Sequence, residues 1–172
     1  EEAIDLWQRL LVVEPSNASA YINLSTAYGR LGRYEEARNA AQRAVEMDQK
    51  LREAHFNAAL AELHLGRAAA AAKILKPLAL KHQNYYAAQF ALGCTRICGD
   101  KIQEGLKTFS SLETTPLWPT IAYSFEEMAR RLSSAGQAAY AEKIRRTASQ
   151  LQLSVSPAVQ AMASDASCAS SG

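Results

Sequence analysis

Two cysteines four residues apart, Cys94 and Cys98, are the pair in this sequence best spaced to act together. Residues at this spacing on a helix face the same way, so the thiolates would supply two metal ligands. A structural zinc site needs four ligands, and the one further candidate is His64 on a neighbouring face. A disulfide within one helical turn would be strained. The sequence therefore favours free thiols that are at least half-buried, and it implies no partner for Cys168.

The remaining titratable residues form no catalytic arrangement. The three histidines, His55, His64 and His82, fall on a core face, on a face beside the core and at a helix end, respectively. A histidine at a helix C-terminus interacts favourably with the helix dipole and needs no further role. The sequence contains no GxSxG, glycine-rich phosphate loop or HExxH pattern. We therefore expect no enzymatic activity, no metal and no cofactor.

Composition narrows the class of protein. The 172 residues are 48% hydrophobic and 21% charged, and a net charge of +2 argues against a general nucleic-acid binder, which usually has a strongly basic face. No apolar run approaches the roughly eighteen residues that a membrane-spanning helix needs. Three cysteines are too few for a disulfide-stapled domain. These features predict a soluble, folded protein and leave its function open.

A 34-residue period organises the chain and indicates a stacked helical repeat. Two series keep this spacing, namely Ala3, Ala37, Ala71 and Gly105, and Leu10, Ala44, Leu78 and Leu112. Gly32 and Gly66 keep it as well, but Gly99 follows after 33 residues, which predicts that the third turn is one residue short. One helix pair cannot bury its apolar face alone, so successive pairs must stack.

The most regular unit shows which helix faces are expected in the core. The first helix presents Tyr21, Leu24, Tyr28 and Leu31 on one face, and the second presents Ala37, Ala41, Ala44 and Met47. Gly32 ends the first helix. This unit resembles the tetratricopeptide repeat (TPR), a 34-residue helix–turn–helix motif, through Tyr21, Leu24, Ser25, Tyr28, Gly32, Tyr34, Ala37 and Ala44. Tyr21 stands where the family often has Trp, and Ser25 where it often has Gly.

The resemblance covers about residues 1–152 and implies an all-α fold. The expected architecture is a right-handed superhelical α-solenoid of antiparallel helix pairs, with about nine helices. Its parts are a second helix of a truncated repeat (1–17), three repeats (18–51, 52–85 and 86–117), a degenerate C-terminal helix pair (118–152) and a disordered Ser/Ala-rich tail (153–172). The first helix of the truncated repeat is expected upstream. Pro77 predicts a kinked or weakened helix, and the irregular segment 114–119 predicts that the final pair is rotated.

A strip beside the core face of the first helices is the candidate binding surface. The resemblance implies that first helices line the concave side of the superhelix, and apolar residues exposed there usually mark an interaction site. The candidate peptide-binding residues are Ile22, Asn23, Thr26, Arg30, Phe56, Asn57, Leu60, Leu63, Phe90, Cys94 and Ile97. In related TPR proteins, including a glycosyltransferase, Asn at the places of Asn23 and Asn57 binds a peptide backbone, because an amide both donates and accepts.

An alternative interpretation of the strip is structural. Phe56 and Phe90 would then pack into neighbouring repeats, and the asparagines would cap helices or face solvent. Under the groove hypothesis, replacing Asn57 and Phe90 by alanine removes binding without unfolding the chain. Unchanged affinity in the double variant would contradict the groove hypothesis.

The strip also bears on the kind of partner. One TPR subtype grips the C-terminal carboxylate of chaperones with Lys and Arg from these strips, but the corresponding residues here are Ile22, Phe56, Phe90 and Ala91. We therefore expect a protein or peptide partner of apolar or mixed character, and neither a chaperone tail, nucleic acid nor membrane insertion.

Two functions remain open from the sequence. The main hypothesis is a scaffold or adaptor that binds a partner's peptide segment in a multiprotein assembly. The alternative is a structural or oligomerisation spacer, self-associating through the uncovered N-terminal end at Trp7, or the regulatory TPR arm of a larger protein such as a glycosyltransferase. Free thiols favour a cytoplasmic setting, while similar bacterial repeat proteins also work in the periplasm.

Overall fold

The computed structural model describes residues 1–112 and 121–151, which form nine α-helices and no strand. The helices are α1 (Glu2–Val13), α2 (Ala18–Arg30), α3 (Tyr34–Met47), α4 (Arg52–His64), α5 (Ala68–Lys81), α6 (Tyr86–Cys98), α7 (Ile102–Ser110), α8 (Ile121–Ser134) and α9 (Ala138–Gln150). The prediction of an all-α repeat array is confirmed. The expected linker at 114–119, the tail at 153–172 and Cys168 lie outside the described residues.

Turns of one geometry join the two helices of each pair. Gly32, Gly66 and Gly136 have φ between 75° and 78°, a conformation that glycine adopts without steric cost. In the third turn this place is taken by Asp100, with φ of 63°. Asp100 follows Gly66 by 34 residues, so the turn is not one residue short and Gly99 was the wrong counterpart. Aspartate tolerates the left-handed region better than most residues, which explains the exchange.

Small side chains allow the helices to pack closely. Ala37, Ala41 and Ala44 of α3 are all buried, as the repeat predicts. The Ser25 hydroxyl donates to the carbonyl of Ala37 at 2.8 Å, so a polar group at a usual glycine position is satisfied inside the core. Between α6 and α7, Gly105 faces the Ile97 side chain and the Gly93 carbonyl, and an added Cβ would overlap the former.

Three core assignments from the sequence are wrong for a common reason, which is that they fall at helix ends. Leu31 follows the last residue of α2 and Met47 is the last residue of α3, and both are exposed. His55, in the first turn of α4, is half-buried and its Nε2 lies 2.9 Å from the carbonyl oxygen of Gln49. At these positions a neighbouring helix no longer covers the face that the periodicity marks as apolar.

The chain's first helix leaves apolar surface uncovered. Ile4 is buried, and Trp7 and Leu10 are half-buried. Leu6, Val12 and Val13 of the same helix are largely exposed. Elsewhere, Pro77 lies inside α5 without ending it. None of the described helices is long and apolar enough to cross a membrane.

The last helix pair changes the packing scheme of the array. In the earlier pairs each second helix packs on the next first helix, α3 on α4 and α5 on α6, whereas α9 packs on α6 and α8 reaches α4. The Tyr140 hydroxyl donates to the Gly66 carbonyl at 3.0 Å, and the Lys143 Nζ lies 2.7 Å from the Asp100 carboxylate. The final pair therefore folds back over the first helices.

Three phenylalanines hold this pair in place. Phe90 of α6, Phe109 of α7 and Phe125 of α8 have ring centroids 4.7 to 5.8 Å apart, in tilted or edge-on arrangements that aromatic rings favour. Phe125 is 1% exposed. Ile121, Met128, Ala129 and Leu132 of α8 belong to the same core. The aromatic cluster therefore joins α8 to the repeats.

Replacing Phe125 by alanine is expected to lower the free energy of unfolding by about 3–5 kcal/mol, because it leaves a cavity between three helices. The measurement is urea unfolding followed by circular dichroism. Tyr123→Ala is the matched control on the same helix, since Tyr123 is 41% exposed and surface changes usually stay within about 0.5 kcal/mol. Equal effects of the two substitutions would contradict the packing described.

Candidate functional site

The structure separates the eleven predicted groove residues into two groups. Leu63, Phe90, Cys94 and Ile97 are buried in the core that the repeats share with α8 and α9. The others retain accessible surface, namely Ile22, Asn23, Phe56, Asn57 and Leu60, which are half-buried, and Thr26 and Arg30, which are exposed. Because α8 occupies one part of the predicted groove, the accessible residues lie on α2 and α4.

The two phenylalanines of the strip pack against other aromatic rings of the fold. The ring centroid of Phe56 lies 5.3 Å from that of Tyr85, which immediately precedes α6, and Phe90 belongs to the aromatic cluster. An alanine at Phe90 would leave a buried cavity. The double change of Asn57 and Phe90 therefore cannot separate binding from folding, contrary to the expectation from the sequence.

A cavity of about 220 Å³ remains open between α2, α4 and the end of α8. We name it the His64 cleft. It is lined by Ser25, Thr26, Gly29, Arg30, Tyr34, Ala37, Asn57, Leu60, Ala61, His64 and Arg131. Four of the predicted groove residues, Thr26, Arg30, Asn57 and Leu60, are among them. Arg131 comes from the C-terminal helix pair, which is distant in sequence. The 34-residue spacing could not predict that this residue would line the cleft.

Asn57 joins the first helices of two repeats. Its Nδ2 donates to the hydroxyl of Thr26 at 3.0 Å and, more weakly, to the carbonyl of Ile22 at 3.4 Å. Its Oδ1 accepts no hydrogen bond within the part of the chain that the structure describes. The amide is thus oriented by the preceding repeat, and what it offers a ligand is an acceptor.

His64 provides a second acceptor in the cleft. The residue is 4% exposed, and its Nδ1 donates to the carbonyl of Leu60 at 2.7 Å, which places the proton of the neutral ring on Nδ1. Its Nε2 is buried and has no hydrogen-bond partner among the described residues. The ring of Tyr34 stacks on the imidazole at a centroid distance of 4.6 Å. A buried acceptor without a donor is uncommon and suits a ligand.

The burial of His64 favours its neutral form. Burial lowers the pKa of His64 below its ordinary value of 6.5, against the opposing effect of the hydrogen bond to Leu60. Arg131 lowers this pKa further, and Glu127 on the same helix raises it. At neutral pH the ring therefore accepts at Nε2.

Arginines at the edge of the cleft supply donors. Arg131 is ion-paired with Glu127, which also binds Arg130. Arg30 has no ion-pair partner within residues 1–112 and 121–151. Donors at the edge and acceptors at Asn57 and His64 match both polar groups of a peptide backbone, while Tyr34 and Leu60 provide apolar walls.

The two cysteines of the predicted strip are buried, free thiols. Burial raises the pKa of Cys94 well above its ordinary value of 9.0, and it raises that of Cys98 to about 12. Both side chains therefore stay protonated and unreactive in the folded protein. No group of three or more His, Cys, Asp or Glu able to hold a metal ion occurs in the described part of the chain.

Comparison with known proteins supports the class that the fold suggests, a helical-repeat protein of the TPR type. Residues 1–50 match the tetratricopeptide repeat family model, which supports the placement of this chain among the TPR proteins. Over 89 residues it is 34% identical to DnaJ homolog subfamily C member 7 of Mus musculus, and equally to that of Homo sapiens. The match covers 51% of this chain but 18% of either relative.

Solved structures show the same fold at low sequence identity. MamA superimposes with a TM-score of 0.64 at 17% identity, covering 86% of this chain and 85% of MamA. YrrB, described as a TPR protein with an unusual peptide-binding site, superimposes with a TM-score of 0.63 at 18% identity, covering 88% and 77% of the two chains. These similarities establish the TPR array.

The low pKa of His64 predicts a loss of stability in mild acid. The folded state binds a proton at His64 less readily than the unfolded state, so this contribution is present above pH 6.5 and is lost as pH falls below it. Urea unfolding between pH 7.5 and 5 measures the effect. His64→Phe retains a ring against Tyr34 and should flatten this pH dependence, whereas His55→Gln should keep it. Identical slopes for wild type and His64→Phe would refute the assignment.

Cys94 and Cys98 should resist alkylation in the native protein. Iodoacetamide treatment followed by peptide mapping is expected to leave both residues unmodified until urea unfolds the chain, because the thiolate is the reactive form. Met128→Ala, which thins the cover that α8 provides, should speed labelling in proportion to its destabilisation. Rapid labelling of the native wild-type protein would contradict their burial.

Proposed function

We propose that this chain is a scaffold or adaptor that binds an extended segment of a partner protein in the His64 cleft. The observation that carries the proposal is the open His64 cleft, which is lined by Asn57, whose Oδ1 accepts no hydrogen bond from the described residues, and by His64, whose buried Nε2 has no donor among them. Leaving such a group unpaired costs about 1–3 kcal/mol. A backbone N–H or side-chain hydroxyl of a partner would satisfy it.

The surrounding groups suit a peptide of mixed character. Asn57 Oδ1 would accept from a second backbone N–H, and Arg30 and Arg131 would donate to backbone carbonyls. A cavity of about 220 Å³ has room for one apolar side chain between Tyr34 and Leu60. The partner segment would thus place one apolar residue in the cleft and run along α2 and α4.

The position of α8 sets the length of this surface. Since α8 covers Leu63, Phe90, Cys94 and Ile97, these residues support the cleft from below and would not touch the segment. The ligand would meet Arg131 where the open surface ends. This arrangement favours a short segment.

Two further features support the choice of partner. The positions at which one TPR subtype carries a carboxylate clamp hold Ile22, Phe56, Phe90 and Ala91, so a chaperone tail has no matching cations there. The similarity in fold to YrrB, itself described as having a peptide-binding site, supports a peptide ligand. We propose neither nucleic acid nor membrane as a partner of this cleft, and no catalytic role.

A second candidate function is self-association through α1. Leu6 and Val13, seven residues apart on one face of α1, and the adjacent Val12 are exposed apolar side chains that another copy could cover. Light scattering coupled to size-exclusion chromatography distinguishes the two functions. A strict monomer that binds peptide favours the first, and a dimer lost in Val12→Glu favours the second.

The test of the cleft begins with peptides selected from a displayed library on the wild-type protein. Calorimetric titration of a selected peptide is expected to give micromolar affinity, about −8 kcal/mol. His64→Phe and Arg30→Ala/Asn57→Ala should each weaken binding by at least about tenfold, because each removes a polar partner of the backbone. The affinity should also fall in acid, as the pH drops through the folded-state pKa of His64, which burial places below 6.5, since a protonated His64 cannot accept.

Lys81→Ala is the matched control, because Lys81 is exposed at the end of α5 and does not line the cleft. Circular dichroism confirms that each variant is folded. Unchanged affinity in both cleft variants, with the fold intact, would exclude this site.

A further inference from the structure

A second cleft lies between α5 and α7 and shares no lining residue with the His64 cleft. It consists of two adjoining cavities of about 660 and 320 Å³, which have Lys76, Leu92, Arg96 and Glu104 in common. We name their union the basic cleft. Its cationic lining residues are Lys73, Lys76, Arg96, Lys101 and Lys107, and the acidic one is Glu104.

The distribution of charge along the chain explains this lining. Residues 67–112 hold seven Lys and Arg against two Asp and Glu, whereas residues 1–66 hold seven against ten. The net charge of +2 therefore conceals a positive middle section. Because α5, α6 and α7 all belong to that section, their cations gather around one cleft.

Most of this positive charge is not neutralised within the protein. Glu104 lies 3.6 Å from Arg96 and 3.8 Å from Lys101, and so serves two cations. Lys73, Lys76 and Lys107 have no carboxylate partner in the described ranges. Like charges held together without counter-charges repel one another, and an anionic ligand would relieve that repulsion.

The floor of the cleft is apolar. The face of α5 that borders it carries Ala68, Ala69 and Ala72, whose small side chains leave the space between the helices open. Leu80 at one end is 68% exposed, and Tyr86 is half-buried beside it. A ligand for this site would need apolar side chains as well as negative charge.

We infer that the basic cleft docks an acidic, leucine-containing segment of a partner protein. Carboxylates of the segment would pair with Lys73, Lys76 and Lys107, and its apolar side chains would cover Leu80 and the alanines of α5. Complementary charge of this kind speeds association and selects partners. The inference is independent of the His64 cleft, because it concerns different helices and a different ligand.

The probe is a dye-labelled synthetic peptide in which pairs of glutamates alternate with pairs of leucines. A matched peptide has glutamine in place of every glutamate. Fluorescence anisotropy should show saturable binding of the first peptide and at least about tenfold weaker binding of the second. Raising the salt concentration from about 0.05 to 0.5 M should weaken the first several-fold, since screening acts on exposed charges.

Matched variants locate the site. Lys73→Ala/Lys76→Ala should weaken binding by about tenfold or more, whereas Lys50→Ala/Lys81→Ala removes the same charge outside the cleft and should change it by less than about twofold. The His64-cleft variant Arg30→Ala/Asn57→Ala should bind the acidic peptide as wild type does. If the acidic peptide does not bind the basic cleft, the proposal for the His64 cleft is therefore unaffected. If the His64-cleft variants do not weaken peptide binding, the inference about the basic cleft is likewise unaffected.

Three outcomes would overturn the inference. The first is equal binding of the glutamate and glutamine peptides, or no saturable binding. The second is an equal loss in both lysine variants, which would indicate a general charge effect. The third is displacement of the peptide by polyuridine RNA that binds more tightly, which would assign the cleft to nucleic acid.

Discussion

The packing of Phe125 against Phe90 and Phe109 decides which of the predicted groove residues remain accessible to a ligand. This contact holds α8 against the first helices of the repeats, so that residues expected to line a groove become core. Burial of several large side chains at one place makes the arrangement stable. The same arrangement delivers Arg131 to the edge of the His64 cleft. A structural contact thus also defines the candidate binding site.

The two clefts offer a ligand different kinds of interaction. The His64 cleft is small and offers buried polar atoms whose hydrogen bonds a ligand would complete, which favours a defined backbone geometry. The basic cleft is larger and exposed, and its cations act over a distance, which favours charge over exact shape. The two clefts share no lining residue and lie on different parts of the array.

Much of the fold was predictable from particular residues. The 34-residue spacing of Ala37 and Ala71 places a small side chain where helices approach, and Gly32 and Gly66 end the first helices with positive φ. The third turn was misassigned because Gly99 looks like the better turn residue, although Asp100 keeps the spacing and takes the conformation. Leu31 and Met47 were misplaced because periodicity does not show where a covering helix ends. The helix pairs and their order could therefore be predicted from the sequence, whereas the positions of the helix ends could not.

Local spacing in the sequence determined the repeat and the helices, because each depends on neighbours within about 34 positions, and it marked the strip beside the core face as the candidate binding surface. Tertiary structure alone decided which of those residues stay accessible. The contact between α8 and the repeats joins Phe125 to Phe90 and brings Arg131 into a cleft with His64, and it obeys no periodic rule. Likewise, the net charge is a sum over the chain, whereas the field at a cleft depends on which cations the fold gathers there.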